Sequence, residues 1–110
     1  MPFDTAPQKQ ITDEVSLVIA RAIDIIEREG WCQDGFKDAQ GRHCVAGALW
    51  KAATGKEPMG TQTTSDEDCP VYTRAFTRLC GLLGRHVPCW NDMPGRTKDE
   101  VIELMKEGVY

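Results

Sequence analysis

Positive charge is in short supply in this chain. Thirteen Lys and Arg face seventeen Asp and Glu, a formal net charge of −4 with neutral histidine. A surface of that sign does not gather phosphates, so neither non-specific nucleic-acid binding nor adsorption to anionic membranes is expected. Long apolar runs are missing as well. The longest in the first helical stretch, Leu17 to Ala20, falls far short of the ~20 residues a membrane span needs. Met1 to Pro7 carry no basic region and no apolar core, so no secretory signal is expected. Repeats and low-complexity tracts are absent too. Five cysteines, an odd number without an export signal, fit reduced thiols in a cytoplasm better than a disulfide framework. What remains is one intracellular domain. With 110 residues, 41% of them hydrophobic, it hides roughly two-thirds of its unfolded surface and needs no staples.

Residues 1–10 are polar and hold two prolines, which reads as a loose lead-in to a single helical domain over residues 11–110. Thr12 is the expected N-cap of a first helix, with Asp13 and Glu14 where the helix dipole favours negative charge. Val15, Val18, Ile19, Ala22, Ile23, Ile25 and Ile26 share one broad arc, and Ser16, Asp24, Glu27 and Arg28 the other. Gly30 is the expected left-handed terminator, and Leu17 stands off the apolar arc. After a glycine-rich loop, Asp38 to Gly41 reads as a type I turn whose flanks, Phe36-Lys37 and Arg42-His43, would pair as a short hairpin.

The segment from Cys44 to Thr54 is apolar on nearly every side, with Lys51 its only charge, and reads as a buried central helix. Its small residues, Gly47 above all, let other backbones approach. A third helix begins near Pro70, behind the acids Asp66, Glu67 and Asp68. It offers Tyr72, Ala75, Phe76, Leu79, Cys80, Leu82 and Leu83 as its apolar face. Pro88 biases its predecessor away from helix, so Arg85 to Trp90 is expected to be extended. Thr97 and Glu100 form a capping box ahead of a last helix that buries Val101, Leu104 and Met105 and closes at Gly108. The expected fold is mainly α, a single four-helix domain with a short hairpin or turn around residues 36–43.

Four stretches carry a resemblance: Gly30-Trp-Cys-Gln33, Gly41-Arg-His-Cys-Val-Ala-Gly-Ala-Leu49, Trp90-Asn-Asp92 and Arg96-Thr-Lys-Asp-Glu-Val101. Together they resemble an uncharacterised domain family of bacteria, especially actinobacteria, and of their phages. The likeness runs from about Ile11 to the C-terminus and lapses over Lys56 to Thr64. It implies that these segments fold together. The family has no established activity, so no reaction is implied; its phage association implies an accessory role in host takeover or counter-defence.

Three sites compete for the chemistry. A helix N-terminus and a nearby imidazole both lower a thiol's pKa, so Cys44 as nucleophile, His86 as base and Asp92 as orienting group would form a thiol hydrolase or transferase. Against this, no signature of a known thiol hydrolase surrounds Cys44, and most free cysteines are small core residues. Cys32, Cys44, His86 and Cys89 would supply four zinc ligands, and His86 and Cys89 have knuckle spacing, but Cys32 and Cys44 do not. Trp31, Cys44, Trp90, Asn91 and Asp92 would line a ligand pocket, with indoles for stacking and the amide and carboxylate for orientation. Arg42, Arg74, Arg78, Arg85 and Arg96 would suit an anion only if the fold gathered them.

The favoured expectation is a non-catalytic accessory or binding protein of a phage or mobile element. It has no cofactor and no metal, and its small-molecule or protein site lies at Trp31, Cys44 and the Trp90-Asn91-Asp92 turn. The thiol enzyme is the first alternative. A structural module that self-associates through Leu17 or Trp50 is the second.

Overall fold

The computed structural model describes residues 13–58 and 69–110. The lead-in 1–10, Thr12 and the acids Asp66 to Asp68 lie outside them. Among the described residues the chain is mainly helical. In order come α1 (Glu14–Glu29), α2 (Val45–Thr54), α3 (Pro70–Leu83), α4 (Val87–Asn91) and α5 (Lys98–Glu107). The only strand-like pairing among the described residues is a pair of isolated bridges, Trp31 with His43 in parallel and Lys37 with His43 antiparallel. The expected hairpin is thus reduced to a turn and one antiparallel bridge. Its turn is closed by the Gly41 N–H donating to the Asp38 carbonyl at 3.0 Å.

α1 forms where its pattern demands. Val15, Val18, Ile19, Ala22, Ile25 and Ile26 are buried, and each fully buried aliphatic side chain stabilises the fold by about 1.5–3 kcal/mol. The cap is Asp13, one residue past Thr12, because its carboxylate reaches the Ser16 N–H at 2.7 Å. Gly30 ends the helix at φ +101°, where a Cβ would meet Arg42 Cγ at 2.6 Å.

α2 packs on α1, α3 and α4. Its first half, Val45 to Leu49, is buried on every side, whereas Trp50 to Thr54 are half-buried. Gly47 makes the tightest approach of the described glycines: a Cβ there would lie 2.0 Å from the Phe36 carbonyl oxygen. The expected close approach of another backbone is therefore real, and the approaching backbone belongs to the loop between α1 and α2.

Two expectations fail at the other end of the chain. Residues 87–91 are a one-turn helix, so the described residues hold five helices where four were expected. Pro88 sits in the first turn, where its missing N–H is not needed. Trp90 N–H donates to the His86 carbonyl at 3.1 Å and Asp92 N–H to the Pro88 carbonyl at 3.1 Å. Burial of Val87, Trp90 and Asn91 holds the turn. Leu82, expected on the buried face of α3, is 44% exposed, because the covered stripe is the narrower one of Tyr72, Ala75 and Leu79. The capping box of α5 forms as expected: Thr97 N–H donates to Glu100 Oε1 at 2.9 Å, and Glu100 N–H to Thr97 Oγ1 at 3.2 Å.

Candidate functional site

Asn91 stands 1% exposed at the meeting point of three distant segments. Its Oδ1 accepts the Trp31 indole N–H at 2.7 Å and the Val45 N–H at 3.3 Å. Its Nδ2 donates to the Cys32 carbonyl at 3.2 Å and to Asp92 Oδ1 at 2.9 Å. A carboxamide offers two donors and two acceptor positions, so its capacity is filled internally. Gln33 Nε2 adds bonds to the Asn91 carbonyl at 3.1 Å and the Met93 carbonyl at 2.9 Å. Asp92 Oδ1 also accepts the N–H of Asp34 at 2.9 Å, a residue held at φ +66°. The structure thus brings the Trp31 loop, the start of α2 and the Trp90-Asn91-Asp92 turn together as one hydrogen-bonded junction.

Cys44 lies at the same junction as the N-cap of α2, its sulfur accepting the Gly47 N–H at 3.3 Å. Burial is the dominant influence on the thiol and pushes its pKa up, and the charge of Asp92 pushes the same way; the helix-end N–H bonds oppose them and lose. Cys32 is pushed up to about 11 by burial, with Cys44 and Asp38 adding to it. His86 is exposed. Its Nδ1 lies 3.3 Å from Cys89 Sγ, and its ring meets Phe76 edge-on at 5.9 Å. Among the described residues no hydrogen bond joins His86 to Cys44. Nor do Cys32, Cys44, His86 and Cys89 gather their donor atoms within 4.8 Å of one another. Four of the five arginines are taken up by four different carboxylates. Arg42 pairs with Asp38, Arg74 with Glu14, Arg78 with Asp13 and Arg96 with Glu100.

A charged cluster unforeseen from the sequence lies where α1 ends. His43 is fully buried, its Nε2 2.9 Å from Glu57 Oε1 and its Nδ1 3.5 Å from Glu29 Oε1. Lys51 Nζ lies 2.9 Å from both Glu29 oxygens and 2.6 Å from Glu57 Oε2. Lys37 reaches Glu57 at 3.3 Å. Lys51, then His43, hold the Glu57 carboxyl down to about 2, and Glu57, then Glu29, hold the Lys51 ammonium above its usual value. The cluster opens onto a cavity of about 460 Å³ bordered by Arg28, Lys37, Gln40 and Gly41. Glu29, His43 and Glu57 follow one another at fourteen-residue intervals, a spacing with no local motif, so no sequence signal announces them.

A second cavity, of about 480 Å³, lies where α5 meets the ends of α3 and α4. Leu82, Leu83, Trp90 and Leu104 supply its apolar lining, and Asp99, Glu100, Glu103 and Glu107 its acids. Trp90, 8% exposed, is sandwiched against Arg96, whose guanidinium carbon lies 4.0 Å from the indole centroid. Arg96 Nε also donates to the Trp90 carbonyl at 3.1 Å. The junction at Asn91 is one residue away, so it fixes the backbone from which Trp90 projects.

Residues 10–108 match the model of DUF6197, a family of unknown function, and the chain belongs to that family. The resemblance to an uncharacterised domain family therefore holds. No curated protein and no solved structure matches the chain.

Proposed function

We propose that this member of the family is a non-catalytic binding protein that captures a basic, apolar segment of a partner protein in the cavity between α5 and the ends of α3 and α4. One observation carries the reading: Leu82 is 44% exposed beside a tryptophan and two further leucines, within a border of four carboxylates. An exposed leucine on an apolar floor, bordered by four carboxylates against the single Arg96, suits an amphipathic helix whose Lys and Arg flank its Leu and Ile positions. The filled hydrogen-bonding capacity of Asn91 supports a supporting role for the junction, with Trp90 as the member that faces a ligand. The raised, buried Cys44 thiol supports capture over turnover. An accessory role in a phage or mobile element, acting in the cytoplasm with reduced thiols, accords with such a protein.

The test is a nuclear magnetic resonance titration with synthetic amphipathic helices carrying Leu at i, i+4 and i+7 and flanking Lys or Arg. The expected result is amide shifts confined to α5 and the ends of α3 and α4. Binding should weaken at least tenfold in Leu82→Asp and in Glu103→Lys, and should fall with added salt. Shifts that are absent, or that ignore both substitutions, would overturn the reading. A concentration-dependent dimer abolished by Leu82→Asp would replace the partner with a second copy of this chain.

A further inference from the structure

Lys51 and His43 hold the same two carboxylates from different sides. Glu29 and Glu57 both bond the Lys51 ammonium, so the two side chains face one point, and a cation is what stabilises that point. His43 lies against it, fully buried. Its Nε2 is taken up by Glu57 at 2.9 Å. Its Nδ1 is buried without a hydrogen-bond partner and faces Glu29 Oε1 across 3.5 Å. When the Nε2–H donates to Glu57, the Nδ1 lone pair confronts a carboxylate oxygen, acceptor against acceptor. A positive species between the two atoms relieves that opposition.

We propose that Glu29, His43 and Glu57 form a binding site for a divalent first-row transition-metal ion of the zinc type. This site shares no residue with the cavity assigned to the partner segment and stands independently of it. All three donor groups lie within 4.8 Å of one another. Donors around a tetrahedral ion with bonds of roughly 2.0–2.1 Å are about 3.3 Å apart, close to the 3.5 Å between His43 Nδ1 and Glu29 Oε1. Glu57 Oε1 holds the ring through Nε2 in the manner of carboxylate–histidine–metal arrangements, which leaves Oε2, now on Lys51, to face the ion. One imidazole with carboxylate oxygens suits Zn²⁺ and its neighbours in the series better than Mg²⁺ or Ca²⁺, which prefer oxygen alone. The metal takes the place of the Lys51 ammonium, which swings on its flexible stem into the adjoining cavity of about 460 Å³. Lys51 is therefore the competitor built into the site, and Lys37 adds to the competition. Metal binding is expected to be moderate in the native chain and tighter without Lys51.

The experiment titrates the full reduced chain with Co²⁺, followed by displacement with Zn²⁺. The expected result is one ion per chain, with visible bands of nitrogen and oxygen ligation and no thiolate charge-transfer band. Affinity should fall at least tenfold in Glu29→Gln and in Glu57→Gln, rise at least tenfold in Lys51→Met, and be unchanged in Cys89→Ser. Both carboxylates are partly exposed, 35% and 43%, so the glutamine variants keep the fold and remain informative where His43 substitutions would not. Absence of stoichiometric binding in both the native chain and Lys51→Met would overturn the proposal. Binding that survives both glutamine substitutions, or that shows a thiolate band, would overturn it equally.

Discussion

The Trp31 indole N–H donates to the Asn91 side-chain oxygen at 2.7 Å, across sixty residues of sequence. That bond and its three companions on Asn91 tie the loop after α1, the first turn of α2 and the end of α4 into one unit.

Substitution of Asn91 by Ala strands the Trp31 N–H, the Val45 N–H and the Cys32 carbonyl in a buried site. Each unsatisfied buried group costs about 1–3 kcal/mol, and water entry recovers part of it, so a loss of about 3 kcal/mol is expected. Urea unfolding followed by tryptophan fluorescence checks it. A loss below about 1 kcal/mol, the ordinary net value of one hydrogen bond, would show that the junction contributes little.

The glycines give a paired prediction. In Gly47→Ala the added carbon meets the Phe36 carbonyl oxygen at 2.0 Å, and backbone cannot yield as a side-chain tip does. Overpacking of a tight site costs typically about 1–3 kcal/mol or more, and this one belongs at the top of that range. Gly81, within α3, has nothing within 4 Å of its added carbon, so Gly81→Ala should stabilise by about 0.5–1 kcal/mol. Thermal melts of the two variants should move in opposite directions.

Acid sensitivity is expected at the start of α1. The Ser16 backbone N–H, and after it Arg78, hold the Asp13 carboxyl below its usual 3.8. A carboxyl with a depressed folded-state pKa contributes stability that is present above the unfolded value and lost as pH falls through the folded one. Stability should therefore decline on acidification below about pH 4, and part of that slope should vanish in Asp13→Asn, which keeps a capping oxygen without the charge. An unchanged slope in denaturant midpoints between pH 5 and pH 2 would contradict the assignment.

Thiol reactivity should rank by burial. Cys44 is raised by desolvation and caps a helix, whereas Cys89 is exposed. In native protein, iodoacetamide should modify Cys89 at least tenfold faster than Cys44, with the two rates converging in urea. Mass spectrometry of timed quenches reads both sites in one sample. Fast native labelling of Cys44 with a midpoint below neutral pH would restore the thiol-enzyme reading.

Local physics alone determined much of this protein. The apolar arc of α1, the turn closed by Gly41, the capping box at Thr97 and Glu100, and the small-residue face of α2 each depend on residues a few positions apart. Their periodicity and side-chain reach are visible in the sequence. Tertiary structure decided the rest. Pro88 reads as a helix breaker in isolation and becomes a first-turn residue because the core takes up Val87 and Trp90. Asn91 reads as a turn former and proves to be a hub, since its partners are set by the packing of segments sixty residues away. His43 and its two glutamates meet because the fold brings the end of α1, the loop after it and the segment after α2 together. A chain pattern records which residues are apolar or charged, but it does not record which distant partners the packed helices place within 3 Å.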